Sequence, residues 1–209
     1  MKVHTMSLGI LETNCYIVEN DRAVLVIDPG AEPERVIDQI RAINKPVTAI
    51  LLTHTHFDHI GAVDELCRQF DVPLYAADKE KYWLTNSEFN GSQKYSAYGI
   101  PEIIVRQIPK VLVKGSRTIG TFQFDVYETP GHSPGSLSFV FDDFAVVGDT
   151  LFKEGIGRTD LKEGNLQSLM HSITELLCQL DEQMTIYPGH GPKTTIGYEM
   201  NHNPFINGY

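Results

Sequence analysis

The sequence predicts an α/β fold built as a four-layer sandwich, in which two mixed sheets carry helices on their outer faces. Within each half of the chain, strand-like segments precede amphipathic helices, and this order favours sheets covered by helices. At four places a strand-like segment ends and a histidine or an aspartate follows at once. The 209 residues, of which 42% are hydrophobic, suffice for one substantial core, so we expect a single domain over residues 1–209.

The first half alternates strands with helices. A helix is predicted to begin at Pro33, and its apolar residues recur at helical spacing: Val36, Ile37, Ile40 and Ile43. The other predicted elements are strands at residues 13–19, 23–28, 47–53 and 72–76 and a helix at residues 62–70. Residues 78–99 break this pattern with scattered aromatic side chains, and they form either an irregular excursion or a lid over a site.

The second half is richer in strands. The clearest covers residues 121–127, in which Phe122, Phe124 and Val126 share one face. The other predicted strands are residues 103–108, 111–114, 137–141, 144–147 and 185–187. A long helix is predicted from Asn165 onward, with a buried apolar stripe of Leu166, Leu169, Met170, Ile173, Leu176, Leu177 and Leu180.

The charge and the cysteines limit the classes of partner. A formal net charge of −10 disfavours a broad electrostatic surface for nucleic acid or anionic membrane. No stretch is apolar for long enough to span a bilayer, and the first residues lack a signal-peptide pattern. Cys15, Cys67 and Cys178 are widely spaced and predict reduced thiols in a cytoplasmic protein. We therefore expect a small-molecule substrate and no nucleic-acid or membrane partner. The oligomeric state stays open.

The candidate site is centred on the stretch Thr-His-Thr-His-Phe-Asp-His at residues 53–59. It follows a buried strand and precedes a helix, which is where open α/β sheets bind ligands. The alternation of His54 and His56 lets both rings reach one point, while Asp58 and His59 reach a second point. Imidazole suits zinc, and a carboxylate also suits harder ions such as iron or manganese.

Single metal-type ligands follow three further strands, namely His132, Asp149 and His190. Each alone would be interpreted as a turn or capping residue, but packing does not require a ligand at every strand end. The number of ligands suits two metal ions: His54, His56 and His132 for one, Asp58, His59 and His190 for the other, with Asp149 as a bridge. Two such ions would share a water and lower its pKa, and Asp58 is also a candidate to carry the proton.

The four motifs THTHFDH, PGHSPG, GDTLF and YPGHG resemble those of the metallo-β-lactamase superfamily, in the expected order. Within it, GDTLF followed by GIGRTD is most similar to the glyoxalase II group, the hydroxyacylglutathione hydrolases. The resemblance implies an αβ/βα sandwich with the seven ligands above around two divalent ions, zinc in the first place and iron or manganese as alternatives. It also implies thioester hydrolysis by a metal-bridging hydroxide.

The sequence departs from the glyoxalase II pattern where that group binds glutathione. Full glyoxalase II enzymes add a helical C-terminal domain, and here only residues 191–209 follow the last histidine motif. The group's glutathione-facing lysine corresponds to Arg158, and its nearby tyrosine to Asp160. Arg158 is therefore a candidate for binding an anionic part of the substrate, and the thiol half of the substrate stays open.

Two other functions compete with thioester hydrolysis. Persulfide dioxygenases share the GRTD motif and use one iron, held at positions matching His54, His132 and Asp149. They usually carry a cysteine at the position of Ile156, and its absence here weakens this interpretation. A mononuclear iron dioxygenase is therefore the alternative to the hydrolase. A non-catalytic metal-binding protein is the third hypothesis. The remaining histidines His4, His171 and His202 are not expected to bind metal.

Overall fold

The computed structural model describes residues 1–99 and 101–207. It separates into two compact units. The first comprises Met1–Leu112 and Thr118–Phe122, and the second comprises Val113–Arg117 and the described residues from Gln123 onward. The single domain expected over residues 1–209 stays a prediction.

The first unit contains a six-stranded mixed sheet and three helices. The strands are β1 (Lys2–Leu8), β2 (Thr13–Glu19), β3 (Val24–Ile27), β4 (Val47–Leu51), β5 (Leu74–Ala77) and β6 (Lys110–Leu112), and the helices are α1 (Pro33–Ile43), α2 (Phe57–Ile60) and α3 (Val63–Phe70). The strands lie in sequence order, with β1, β2 and β3 antiparallel and β3 to β6 parallel. Parallel neighbours need crossover connections, and α1 and α3 lie in two of them.

Helices α1 and α3 pack on one face of this sheet. The stripe predicted for α1 is confirmed, because Val36, Ile37 and Ile40 are buried in one cluster with apolar side chains of β1 to β5. The helix begins with Pro33 and ends at Ile43, and the C-capping residue Asn44 adopts a left-handed conformation with φ of 55°. Asparagine tolerates that conformation better than most residues, so the sequence stops the helix there.

The second mixed sheet belongs to the second unit, except for residues 118–119 and 122. Its strands are β7 (Gly115–Ile119), β8 (Phe122–Glu128), β9 (Leu137–Val140), β10 (Phe144–Gly148), β13 (Thr185–Pro188) and β14 (Thr194–Thr195), and a hairpin of β11 (Leu151–Phe152) and β12 (Gly155–Ile156) stands apart. The order is β14-β13-β10-β9-β8-β7, and β10 runs parallel to β13. Helices α4 (Leu166–His171) and α5 (Ile196–His202) complete the unit. Mixed sheets with flanking helices confirm the predicted fold class.

The strand predicted at residues 103–108 is wrong. The structure has no strand there, although three β-branched residues in a row favour one. The backbone N–H groups of Arg106 and Gln107 donate to the Asp64 carboxylate, at 3.0 and 3.1 Å. A side-chain acceptor therefore takes the donors that a strand would need for its ladder. The strand predicted next in sequence appears as β6, beginning one residue early at Lys110.

The long helix predicted from Asn165 is interrupted. Asn165 caps α4 as expected, and its side chain accepts from the Ser168 N–H at 2.8 Å. Beyond His171 the chain continues as a π-helical turn over Ser172–Leu176 and a 3₁₀ turn over Leu177–Gln179. Leu169, Ile173 and Leu177 are fully buried, but Leu166 is 51% exposed, so its predicted burial is wrong. The change of helical period alters which side chains face the sheet.

Two further features differ from the sequence prediction. The N-terminal strand β1 was not expected; it is an edge strand and most of its residues are at least partly exposed, which weakens its alternating pattern. His4 on this strand binds the Glu19 carboxylate through Nε2 at 2.6 Å, so it has a structural partner. Residues 78–99 contain three 3₁₀ turns, Asp78–Glu80, Trp83–Thr85 and Ser92–Tyr98. Among the described residues, no helix is both long and apolar enough to cross a bilayer.

Candidate metal centre

The four predicted ligands of the first unit form one buried cluster after β4. His54, His56 and His59 are 2%, 6% and 0% exposed. The ring centroid of His54 lies 4.8 Å from that of His56 and 4.1 Å from that of His59. Asp58 Oδ2 is 3.6 Å from His59 Nε2. The rigid end of β4 and the short helix α2 thus bring the whole motif together, as the sequence predicts.

Asp28 orients this cluster, and sequence reasoning missed it. Its buried carboxylate accepts from the Thr53 N–H at 2.8 Å, from Thr53 Oγ1 at 2.5 Å and from His59 Nδ1 at 2.9 Å. A proton on Nδ1 leaves the Nε2 lone pair of His59 available to a metal. The ligand-type atoms of Asp28, His54 and His59 lie within 4.8 Å of one another. Because both Asp28 oxygens already accept hydrogen bonds, we assign it as an orienting residue rather than a ligand.

Two other side chains fix neighbouring parts of the motif. Thr13, at the start of β2, donates from Oγ1 to Asp58 Oδ2 at 2.7 Å. Glu80 is fully buried and accepts from the N–H and hydroxyl of Thr55, at 2.8 and 3.0 Å. Thr55 separates the two alternating histidines, so the Glu80 carboxylate holds the loop between them. A glutamate in the short turn that follows β5 gives no sequence signal for this role.

Glycine permits a close backbone approach beneath Asp58. A Cβ added at Gly30 would lie 1.6 Å from the carbonyl oxygen of Asp58. Such a contact cannot be relieved by a side-chain movement, because the obstructing atom belongs to the main chain. The segment after β3 therefore packs directly against the ligand-bearing turn, and Gly30 is required for that packing.

The three predicted ligands of the second unit also lie together. His132 follows β8, Asp149 follows β10 and His190 follows β13. Asp149 Oδ2 is 3.5 Å from His132 Nε2 and 3.6 Å from His190 Nε2. Because β10 and β13 are parallel neighbours, the residues that follow them emerge at the same edge of the sheet. The Asp149 carboxylate therefore lies within 3.6 Å of two imidazoles, and its role as a bridge between two ions stays a prediction.

Main-chain groups orient the second set. His132 Nδ1 hydrogen-bonds to the carbonyl oxygen of Arg158 at 2.8 Å, which leaves Nε2 to face Asp149. A Cβ at Gly157 would lie 1.9 Å from the Asp149 carbonyl oxygen, so a glycine again permits close packing behind a carboxylate. The ring of Phe152 packs edge-on against His190, with centroids 6.2 Å apart.

Arg158 has two separable roles in this geometry. Its carbonyl oxygen orients His132, whatever the side chain does. Its guanidinium is exposed and donates to both oxygens of Asp160, from Nε and Nη2, each at 2.7 Å. The two residues that the sequence comparison singles out for glutathione binding therefore pair with each other. The substrate-binding role of Arg158 stays a prediction.

The donor set of each unit fits a first-row divalent metal. Imidazole Nε2 atoms are oriented by partners at Nδ1, and carboxylates lie 3.5–3.6 Å from them, close enough to share an ion. Trp83, the only tryptophan of the chain, is buried with its ring centroid 6.0 Å from that of His56. Its fluorescence offers a readout of metal binding beside that histidine.

Comparisons with known proteins identify the family. The model of the metallo-beta-lactamase superfamily matches residues 8–190. A probable metallo-hydrolase of Streptococcus pyogenes is 42% identical, covering 99% of this chain and 90% of that one. The hydroxyacylglutathione hydrolase GloC of Haemophilus influenzae is 32% identical over 99% of both chains. These relatives indicate a hydrolase-type enzyme.

Solved structures agree with that assignment. The B3 metallo-beta-lactamase BLEG-1 superposes with a TM-score of 0.94 at 41% identity, over 98% of this chain and 99% of that one. TTHA1623, solved in a di-iron-bound form, superposes with a TM-score of 0.85 at 36% identity, over 97% of this chain and 100% of that one. ETHE1 from Myxococcus xanthus superposes with a TM-score of 0.81 at 26% identity, over 100% of this chain and 85% of that one.

Proposed function

The chain belongs to the metallo-β-lactamase superfamily, and from that membership we propose that it hydrolyses thioesters of the hydroxyacylglutathione kind with two divalent metal ions. The observation that carries this proposal is the match to GloC over 99% of both chains. GloC is called a hydroxyacylglutathione hydrolase, and it aligns from end to end with a chain of this extent.

The proposed ligands are the seven predicted from the sequence. The first ion would be held by His54, His56 and His132, the second by Asp58, His59 and His190, with Asp149 between them. Bound there, the ions would supply Lewis acidity and a water activated at neutral pH. The orientation of His59 by Asp28 and of His132 by a main-chain carbonyl supports this assignment.

Among these residues, Asp58 is proposed to move the proton as well as to bind metal. The hydroxyl of Thr13 donates to Asp58 Oδ2, which fixes the carboxylate plane. Asp58 is also less buried than the three imidazoles around it, so a substrate group can reach it. A positioned carboxylate is suited to accept the proton of the attacking water and to return it to the leaving thiolate.

Zinc is the first choice of metal, and iron is the alternative that the comparisons raise. Imidazole and carboxylate donors suit zinc, iron and manganese alike. TTHA1623 is described in a di-iron-bound form. The metal is therefore best determined on protein purified under nitrogen, because air would oxidise ferrous ions.

A second candidate reaction is the hydrolysis of a β-lactam amide. It is supported by the likeness to BLEG-1, which is called a B3 metallo-beta-lactamase. Both reactions need attack on an acyl carbon and protonation of the leaving group, so the proposed residues serve either one. Thioesters remain the first choice because a thiolate leaves more readily than an amine.

The test is a panel of substrates assayed under nitrogen and under air. We expect S-lactoylglutathione to be hydrolysed at the same rate in both atmospheres, because hydrolysis consumes no oxygen. Turnover only of a persulfide, with dioxygen consumed, would replace the proposal with the mononuclear iron dioxygenase that the GRTD motif also suggests. Turnover only of a β-lactam would replace it with the second candidate.

We also propose a cytoplasmic location, on the basis of the cysteines. Cys15, Cys67 and Cys178 are free thiols. Burial raises the pKa of the Cys67 thiol to about 11, and burial raises the pKa of Cys15 further. Such thiols are protonated and unreactive at neutral pH, as expected of structural cysteines in a reducing compartment.

A further inference from the structure

A groove of about 370 Å³ opens beside Asp58 in the first unit. Its walls include the tip of the β1–β2 hairpin, the segment Gly30 to Glu32, and Pro101 and Ile103 after the aromatic excursion. Pockets for small ligands measure about 300–1,000 Å³. The groove therefore has room for one modest chemical group next to a carboxylate that is proposed to take part in the chemistry.

The groove is lined mainly by apolar side chains. Leu8, Ile10, Leu11 and Phe57 contribute to it. Ile10 is 74% exposed and Leu11 is 38% exposed. A tight turn presents both of them, because the Glu12 N–H donates to the Gly9 carbonyl at 3.2 Å. Large apolar side chains left exposed at the rim of a groove favour an apolar ligand that would cover them.

Two acidic side chains lie in the walls of the groove. Glu32 and Asp58 line it, and among the described residues of its walls there is no lysine or arginine. Glu32 accepts from the Gly9 N–H at 2.7 Å and pairs with Arg35, so its carboxylate is held in place. Arg35 offsets Glu32, and a bound metal ion would offset Asp58, so the groove has little net charge. It offers an anionic group no ion-pair partner in return for its lost hydration, and it therefore selects against such a group.

The groove is tied to the chemistry through the base of the hairpin. Leu8 pairs with Thr13 across β1 and β2, and the Thr13 hydroxyl donates to Asp58 Oδ2. A group lying in the groove thus sits beside the carboxylate that is proposed to handle the proton. We propose that this groove binds the acyl part of the thioester, and that it selects an uncharged, apolar acyl group larger than a short hydroxyacyl group. This inference rests on the proposed function and extends its substrate class.

The test compares thioesters that share one thiol and differ in the acyl group: acetyl, hexanoyl, phenylacetyl and succinyl. For the wild type we expect kcat/KM to be about 10-fold or more higher for hexanoyl and phenylacetyl than for acetyl, and lowest for the anionic succinyl thioester. Ile10→Ser should reduce the preference for hexanoyl about 5-fold through KM, with kcat for the acetyl thioester unchanged. Ile108→Ser is the matched control, since Ile108 is 90% exposed and does not line the groove.

A second measurement does not depend on turnover. A non-hydrolysable S-hexyl thioether should bind the metal-free full-length chain more tightly than its S-methyl analogue, and Ile10→Ser should remove the difference. Equal rates for all four acyl groups, or equal behaviour of Ile10→Ser and Ile108→Ser, would overturn the inference. Selective thioether binding without any thioester turnover would support the groove as an apolar-ligand site and overturn the proposed function instead.

Discussion

The two units build their ligand sets in different ways. In the first, four proposed ligands come from six consecutive residues, and buried carboxylate side chains orient them. Asp28 holds His59, and Glu80 holds the loop at Thr55. In the second, three proposed ligands come from separate strand ends, and a main-chain carbonyl orients His132. A side-chain anchor can be removed by one substitution, whereas a main-chain anchor survives any change of its residue.

This difference has a consequence for mutagenesis. The first set should be fragile toward changes at residues that are not ligands, because its anchors are side chains. The second set should depend on the ligands themselves. The second set also contains the most exposed proposed ligand, since the His190 side chain is 29% exposed, whereas that of Asp58 in the first set is 13% exposed. We expect the effects of single substitutions to follow this division.

The largest effect is expected at the ligand that stands between two imidazoles. Asp149→Ala should remove both ions and lower thioester hydrolysis by about 1,000-fold or more, because each ion loses a charged ligand. His190→Ala should mainly empty the second site and keep one ion. Metal analysis of dialysed protein measures both. Two ions retained in Asp149→Ala would refute the bridging assignment.

An intermediate effect is expected at Asp28. Asp28→Asn should lower metal affinity by about 10–100-fold, because the partner of a ligating imidazole sets its tautomer and basicity. It should also cost about 1–3 kcal/mol of unfolding free energy, because one of three donors loses its acceptor. Trp83 fluorescence during metal titration reports the affinity without an activity assay.

Asp64→Asn is the matched control for Asp28→Asn. Asp64 also accepts from main-chain N–H groups, those of Arg106 and Gln107, but it lies outside the cluster. It should change stability and leave metal affinity alone. If Asp28→Asn and Asp64→Asn bind metal equally well, the side-chain anchor has no role and the contrast between the two units fails.

The smallest effect is expected at Arg158. Arg158→Ala should leave the metal content unchanged, because its carbonyl still orients His132. It should raise KM for an anionic thioester about 3–10-fold and leave a neutral one unchanged, since only the exposed cation is lost. Asp160→Asn, which frees the guanidinium from its partner, should have the opposite effect on the anionic substrate. A loss of metal from Arg158→Ala would contradict the main-chain anchor.

The clustering of the proposed ligands within each unit could be predicted from the sequence, but the residues that anchor them could not. His54, His56, Asp58 and His59 fall in one short window, and the motifs at His132, Asp149 and His190 each follow a strand. Asp28 stands before Pro29 and Gly30, where an aspartate is usually a turn former. Its bond to His59 spans 31 residues, and only the folded sheet brings the two together.

The errors in the predicted secondary structure also arise from contacts between residues that are distant in sequence. Residues 103–108 look like a strand by propensity, but the Asp64 carboxylate takes the N–H groups of two of them. The stripe of the last helix is correct at Leu169, Ile173 and Leu177, and it fails at Leu166, which is exposed. The local sequence pattern predicts a β-strand or a helical stripe. Hydrogen-bond acceptors that are distant in sequence, together with packing, decide whether that structure forms.

The most direct test of the account is the metal content of protein purified under nitrogen, measured together with thioester hydrolysis. The account predicts two divalent ions per chain and cleavage of S-lactoylglutathione at equal rates with and without oxygen. A fully active protein that holds a single ion, and that consumes oxygen with a persulfide while leaving thioesters intact, would contradict it.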